Sequence, residues 1–238
     1  MLQRLKVDFH CHTRFSPDSL SGISELLVMA SRRGVDRLAI TDHNTIQGAL
    51  IAKSLEPERV IVGEEIKTTK GELLAIFVRE EVPQGLSPLE TVHRLKEQGA
   101  FISVSHPFDI HRSGWRLQDL MEIVPYIDAI EVFNARCYLT GYNRRALEFA
   151  LQNKIPGTAG SDAHLLMEVG RAVVHLPEFS SAEDLRRVIT QGEIAATLSP
   201  FWVHLGSGAI SISRKMASMF TRFTNRRAGD CSKNGKLS

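Results

Sequence analysis

The chain has 238 residues, of which 43% are hydrophobic and 24% are charged, a composition typical of a soluble globular protein. No apolar run approaches the roughly 20 residues that a membrane-spanning helix needs, and three widely separated cysteines give no disulfide framework. The first residues show a strand pattern and no signal peptide, which favours a cytoplasmic location.

The net charge of +2 conceals an uneven distribution. Residues 201–238 carry seven basic residues and one acidic residue, whereas residues 1–200 carry 22 basic and 26 acidic residues. Because the larger part is mildly acidic, its charge argues against nucleic acid as a partner.

Helical and strand patterns alternate along residues 1–200. Helical spacing is found at 23–33, 45–55, 88–99, 117–124, 142–153 and 181–191, with glycine, proline or an N-capping serine at many of the boundaries. Short runs rich in β-branched residues lie between these segments, with further strands expected at 72–78, 172–176 and 195–198. Alternating βα units predict a largely parallel sheet that is closed or nearly closed.

Six of the predicted strands end in residues that could bind a metal ion. In chain order, these ends carry Asp8, His10 and His12; Asp42 and His43; Glu64 and Glu65; His106; Asn134; and Asp162 and His164. The carboxyl ends of the strands in an α/β barrel form its active-site face, so we expect these side chains to converge. Imidazole and carboxylate groups gathered at one rim predict a divalent metal site.

The spacing of the first motif supports shared binding of one ion. His10 and His12 are two residues apart and so point to the same face of a strand, while Cys11 points into the core. Asp8 lies on the histidine face and could orient one of the imidazoles. Such a histidine pair is a weak signal when it occurs alone, and the joint occurrence of all six motifs carries the prediction.

The chain contains, in this order, Asp8-x-His10-x-His12-Thr13, Ser16-x-Asp18, Thr41-Asp42-His43, Gly63-x-Glu65, Ser105-His106-Pro107 and Gly160-Ser161-Asp162-x-His164. This ordered set resembles the PHP family (polymerase and histidinol phosphatase domain). The resemblance covers residues 5–200 and implies an α/β fold, a distorted (β/α)7 barrel of the PHP type. We therefore expect a catalytic barrel over residues 1–200.

The resemblance also implies three groups of metal ligands. The first group is His10, His12, Glu65 and Asp162. In the second group, Glu65 bridges to an ion that His106 also binds, and Glu64 points to the opposite face of the strand. The third group is Asp18, His43 and His164. Two to three divalent ions are implied, and Mn, Fe and Zn all suit these ligands.

Asn134 departs from the family pattern. Several members place a histidine or cysteine for the second metal on this strand, and an amide oxygen is a poorer ligand. Either the second ion is weakly held or completed by substrate, or Asn134 donates a hydrogen bond to the substrate.

A substrate phosphate also needs a cation from the protein. Arg112, Arg116 and Arg136 lie in predicted rim loops and are the candidates, with a solvated surface position as the alternative for each.

Clustered divalent ions activate water and neutralise phosphoryl charge. Stand-alone members of the family are mostly phosphoesterases, so we expect a metal-bound hydroxide to hydrolyse a small phosphorylated metabolite or nucleotide. His43 or His106 could protonate the leaving oxygen. Two alternatives stay open: a non-catalytic metal-binding module of the family, and a metallohydrolase that cleaves a C–N bond.

Residues 201–238 differ in composition from the rest. Five apolar residues between Ile212 and Phe223 recur at a spacing of three or four, which predicts a basic C-terminal helix followed by a frayed tail. This helix could contact a membrane surface or a protein partner weakly, or it could pack on the barrel.

Overall fold

The computed structural model describes residues 4–203. Its strands are β1 (Leu5–Asp8), β2 (Arg37–Ile40), β3 (Val60–Lys67), β4 (Glu72–Ile76), β5 (Phe101–Val104), β6 (Ala129–Asn134), β7 (Gly157–Gly160), β8 (Ala172–Leu176) and β9 (Glu193–Ala196). Its α-helices are α1 (Ile23–Arg32), α2 (Gln47–Leu55), α3 (Pro88–Glu97), α4 (Leu117–Ile123), α5 (Thr140–Asn153) and α6 (Ala182–Val188). The predicted elements are confirmed, with small shifts at their ends.

The sheet order is β7-β6-β5-β4-β3-β2-β1-β8-β9. Strands β1 to β3 are parallel to one another, as are β5 to β7. Backbone hydrogen bonds close the ring between its first and last strands, because Phe9 N donates to Ala159 O at 3.3 Å and Asp162 N donates to His10 O at 2.7 Å. The predicted α/β barrel is therefore confirmed.

The sheet is less parallel than the alternation of elements predicted. Strand β4 pairs antiparallel with both β3 and β5, and β8 and β9 extend the sheet antiparallel beside β1. Only residues 68–71 separate β3 from β4. A parallel connection needs a crossover of a dozen or more residues, so this short turn can only form a hairpin.

Local signals fix the helix that follows the hairpin. Ser87 caps α3, because its hydroxyl accepts from the Glu90 backbone N–H while the Glu90 carboxylate accepts from the Ser87 N–H. Pro88 occupies the first turn of the helix, where a missing N–H costs nothing. This start agrees with the sequence pattern.

Each of the seven barrel strands, or the residue directly after it, contributes to one buried cluster. Its members from β1 to β7 are Val7, Phe9, Ala39, Ile61, Ile76, Phe101, Ala129 and Ala159. Two further clusters pack α1 with α2, and α3 with α5, against the sheet. This packing fixes the strand ends on which the polar motifs lie.

Within residues 4–203, no helix is both long enough and apolar enough to span a bilayer. The predicted basic helix and tail at 201–238 lie almost wholly outside the described residues.

Candidate metal centre

Four buried side chains converge at the end of the barrel where β1, β3 and β7 finish. The Nε2 atoms of His10 and His12 lie 3.0 Å apart. Glu65 Oε2 lies 3.4 Å from each of them, and Asp162 Oδ1 lies 3.5 Å and 3.2 Å away. The structure thus brings together the first predicted ligand group.

Hydrogen bonds on the far side of each imidazole fix its tautomer. His10 Nδ1 lies 2.9 Å from a carboxylate oxygen of Glu131, which can only accept. His12 Nδ1 lies 2.9 Å from Ser16 Oγ, whose own proton is donated to Asp42 at 2.7 Å. Each Nδ1 therefore carries a proton and each Nε2 presents a lone pair. Two lone pairs and two carboxylates that face one another need positive charge between them.

A proton or a metal ion can supply that charge. Burial lowers the pKa of His10, but the Asp162, Glu65 and Glu131 carboxylates outweigh burial and raise this pKa well above its usual value. Burial, with the neighbouring imidazoles, lowers the pKa of His12 to about 3. A divalent ion bound here would displace the proton on His10.

Glu65, Glu72 and His106 form a second group. His106 Nε2 lies 3.2 Å from Glu65 Oε1 and 3.6 Å from Glu72 Oε2. Ser105 Oγ donates to Glu65 Oε1 at 2.6 Å and so fixes the carboxylate shared by the two groups. Burial and the charge of Glu65 raise the pKa of Glu72, and the neighbouring imidazoles and Arg112 offset this rise only in part.

Glu72 is a ligand candidate that the sequence patterns did not predict. The predicted ligands lie at the carboxyl ends of strands, whereas Glu72 is the first residue of β4. Because β4 is antiparallel to β3, its amino end lies at the active-site rim. The signal was the short turn between Glu65 and Glu72, which indicates a hairpin.

The third group combines Asp18, His43 and His164. Asp18 Oδ2 lies 3.1 Å from His164 Nε2 and 3.5 Å from His43 Nε2. His164 Nδ1 donates to the Asp162 carbonyl oxygen at 2.8 Å, which leaves Nε2 as the acceptor. Burial raises the pKa of Asp18, but interactions with the His164 and His43 imidazoles outweigh it and hold this pKa well below its usual range.

The donor atoms suit divalent ions in all three groups. Three sets of candidate ligands that overlap these groups each have all their ligand atoms within 4.8 Å of one another. They are His10, His12 and Asp162; Glu65, Glu72 and His106; and His12, His43 and His164, where His12 stands in place of Asp18. Glu65 Oε2 is buried and receives no hydrogen bond of good geometry within the described structure. Mixed imidazole and carboxylate sets of this kind suit Mn, Fe and Zn, so the residues fit the metals that the sequence predicts.

Glu131, rather than Asp8, orients the His10 imidazole. The Asp8 carboxylate instead accepts backbone N–H groups from Ser161 at 2.9 Å and Gly170 at 3.0 Å. It therefore ties β1 to the loop that follows β7, and the role we expected for it was wrong. Glu131 was overlooked because it lies within a strand, before the strand end.

Asn134 takes neither of the two roles that the sequence left open. Its amide nitrogen donates to Glu131 Oε2 and to Asp162 Oδ2, both at 3.0 Å. Its oxygen accepts from Arg112 Nη2 at 2.9 Å and from the Arg136 backbone N–H at 2.8 Å. With two donors on the oxygen, the amide orients its charged neighbours and is not placed to bind a metal.

A cavity of about 220 Å³ opens onto the three groups. Besides ligand candidates, it is lined by Arg112, Ser113, Arg136 and Tyr138. Arg112 forms an ion pair with Asp162 through Nη1. Arg116 is exposed directly before α4 and does not line the cavity, so the structure does not bring it together with the other candidates.

Two neighbours of the ligands face away from the cavity, as predicted. Cys11 is buried in the cluster beneath α1 and α2. Glu64 accepts the Val82 N–H at 3.0 Å on the opposite face of β3 from Glu65.

Gly160 is needed for the close approach of β7 to His10, since a Cβ at this position would lie 2.2 Å from the Cβ of His10.

Two family models and a relative from another organism match this chain. Family models described as PHP domain and PHP-associated match residues 8–96 and 140–194. The uncharacterized protein MJ1587 of Methanocaldococcus jannaschii is 40% identical over 146 residues, which cover 55% of this chain and 82% of that protein. The chain belongs to the PHP family.

A second relative and two solved structures extend this result. The PHP protein is 35% identical over 180 residues to the uncharacterized MJ0417 of the same organism, covering 74% of this chain and 72% of that one. PsfC from Pseudomonas syringae PB-5123 superposes with a TM-score of 0.65 at 18% identity, covering 89% of this chain and 99% of PsfC. A putative metal-dependent phosphoesterase from Bifidobacterium adolescentis ATCC 15703 superposes with a TM-score of 0.57 at 17% identity. The match covers 69% of this chain and 90% of the phosphoesterase chain. At these identities the structures support the fold alone.

Proposed function

We propose that this PHP protein is a metal-dependent hydrolase, specifically a phosphoesterase that acts on a small phosphorylated metabolite or nucleotide. One observation carries the proposal: two arginines and members of all three groups of metal-ligand candidates line the same cavity. Metals and guanidinium groups together match the charge of a phosphoester, which must be neutralised before a nucleophile can approach.

Each group of ligand candidates would hold a different metal ion. His10, His12, Glu65 and Asp162 would hold the first ion, Glu65 with Glu72 and His106 the second, and Asp18, His43 and His164 the third. Bound divalent ions supply Lewis acidity and lower the pKa of water at such sites. Glu65 is central because its two oxygens face different groups.

Arg112 is the candidate cation for the phosphate. Asp162 and Asn134 each engage one of its terminal nitrogens, and a guanidinium has five N–H donors in all. Burial alone would lower the pKa of Arg112, but the Asp162 and Asp109 carboxylates raise it, so the side chain keeps its charge. Its remaining donors can reach phosphate oxygens in the cavity.

The imidazoles of His43 and His106 fit ligand roles better than proton donation. His43 has one ring nitrogen 2.9 Å from Glu65 and the other 3.5 Å from Asp18. His106 Nε2 faces Glu65 and Glu72.

The two arginines that line the cavity favour a phosphoester over the C–N bond alternative, because a neutral amide needs no such cations.

Phosphate release from a panel of phosphomonoesters, nucleotides and bisphosphates tests this function. The protein is reconstituted with Mn, Fe or Zn, and compared with His43→Ala and Asp162→Ala. His93→Ala serves as the matched control, since His93 is exposed on α3 and pairs only with Glu97 among the described residues. Metal-dependent release that both site variants lose and the control keeps supports the proposal. Metal-loaded protein that releases no phosphate from any ester contradicts it.

A further inference from the structure

Glu168 is fully buried beside the cavity and belongs to none of the three ligand groups. It lies at the end of a short 3-10 turn (Leu166–Glu168) in the loop after β7. Its Oε2 accepts the backbone N–H of His164 at 3.1 Å and of Leu165 at 3.0 Å. Its Oε1 lies 3.1 Å from Arg136 Nε, an ion pair that does not have the geometry of a hydrogen bond.

The two oxygens therefore contact two different segments that line the cavity. One is the loop that carries His164 and Asp162, and the other is the segment after β6 that carries Arg136. Arg136 is only 4% exposed. A buried carboxylate costs several kcal/mol unless it is paired and hydrogen-bonded. Glu168 takes its hydrogen bonds from the loop after β7 and its ion pair from Arg136.

We propose that Glu168 is a positioning residue that holds Arg136 and His164 at a fixed separation. The cation on the cavity wall then stays aligned with the third ligand group. The inference rests on the proposed function in one respect, that Arg136 faces a phosphate. It extends that function by coupling anion binding to metal binding through one side chain.

The chemistry of glutamine separates the two contacts. In Glu168→Gln the amide oxygen can still accept the backbone N–H groups of the loop, but the NH2 group cannot pair with a guanidinium. Glu168→Ala removes both contacts. Arg136→Met removes only the arginine side of the ion pair.

The experiment measures two binding constants in the same protein preparations. Titration calorimetry gives the affinity for Mn²⁺, and inorganic phosphate is then titrated into the Mn-loaded protein. We expect Glu168→Ala to weaken the weakest Mn²⁺ site by about tenfold or more, which is the usual effect of losing a residue that orients a ligand. We expect Glu168→Gln to leave Mn²⁺ affinity nearly unchanged and to weaken phosphate binding by about tenfold, because Arg136 loses the ion pair that orients its guanidinium.

The double variant decides whether the effect runs through Arg136. If it does, Arg136→Met and the combined Arg136→Met/Glu168→Gln protein bind phosphate equally weakly, because the second change removes nothing more. If either single variant fails to fold because it leaves a buried charge unpaired, the double variant leaves none, and its phosphate affinity is compared directly with that of the wild type. Glu64→Gln is the control for loss of a buried acid outside the cavity.

Three outcomes overturn the inference. Additive losses in the double variant would show that Glu168 acts independently of Arg136. Phosphate affinity that Glu168→Gln leaves unchanged would remove the positioning role while the proposed function stands. Wild-type Mn-loaded protein that binds no phosphate would overturn both.

Discussion

His10 and His12 face each other through Nε2 atoms 3.0 Å apart, with Glu65 and Asp162 closing the same space. Neither ring can turn away, because each Nδ1 is anchored on its far side. The arrangement is held open for a cation by the surrounding fold. An orienting shell of this kind is what sets metal affinity in proteins.

Glu72 should contribute one metal equivalent. The Glu72→Ala variant removes a carboxylate of the second group, so we expect metal content after Mn reconstitution and desalting to fall by about one ion per chain. Inductively coupled plasma mass spectrometry measures this directly. Glu64→Gln, on the opposite face of β3, should retain the wild-type content. Equal metal content in Glu72→Ala and wild type would rule out this ligand.

Arg112 and Arg116 provide a matched pair for the anion site. Arg112 lines the cavity, whereas Arg116 is exposed before α4. Removal of a charged hydrogen bond costs about 1.5–3 kcal/mol, so Arg112→Ala should raise the KM for a phosphoester by roughly tenfold or more. Arg116→Ala should leave KM unchanged. An equal effect of the two substitutions would contradict this assignment.

Much of the fold and of the ligand set could be predicted because topology fixes it. Parallel strands bring their carboxyl ends to one rim, so His10, His106 and Asp162 had to converge once the strands were identified. Glu72 and Glu131 were missed for a different reason. Their positions depend on the hairpin at β4 and on side-chain packing across the barrel, which involve partners distant in sequence.

Loop residues were the least predictable part of the site. Arg112 and Arg116 are four residues apart in the same loop, yet only Arg112 lines the cavity. The difference arises from the turn capped by Asp109, whose backbone path no periodic pattern encodes. Asn134 was assigned by family position, and its hydrogen-bond partners became clear only from the structure.

Glu64 should make stability depend on pH. Burial, with the nearby Glu81 carboxylate, raises the pKa of Glu64 from 4.5 to about 7. Between these values the folded protein keeps a proton that the unfolded chain has lost, so the free energy of unfolding falls as pH rises from 4.5 to 7. The full difference is about 3 kcal/mol at 1.36 kcal/mol per pKa unit.

Glu64→Gln removes this penalty because the amide stays neutral. We expect the variant to be more stable than wild type at pH 8 and equally stable at pH 4. Urea unfolding in the presence of a chelator measures both values without interference from metal binding. A stability difference that is the same at the two pH values would contradict the assignment to Glu64.

Gly48 should be intolerant of alanine, although it lies inside α2. A Cβ at Gly48 would lie 2.2 Å from Asp42 Oδ2 and 2.5 Å from Thr13 Oγ1. Asp42 accepts the Ser16 hydroxyl that fixes His12. We therefore expect Gly48→Ala to lower both the unfolding temperature and the metal affinity.

Gly141 in α5 is the control for this substitution. A Cβ there meets no atom within 4 Å, so Gly141→Ala should be neutral or stabilising by up to about 1 kcal/mol, as expected for alanine in a helix. Thermal unfolding of both variants tests the contrast. A Gly48→Ala protein as stable as Gly141→Ala would mean that the Asp42 contacts can shift without cost.

The metal content of the reconstituted protein tests the central claim most directly. The protein is stripped with a chelator, incubated with Mn, Fe or Zn, desalted and measured by mass spectrometry beside His10→Ala/His12→Ala. Our account predicts two to three ions per wild-type chain and a loss of at least one ion in the double variant. Less than one ion per wild-type chain with all three metals would contradict it.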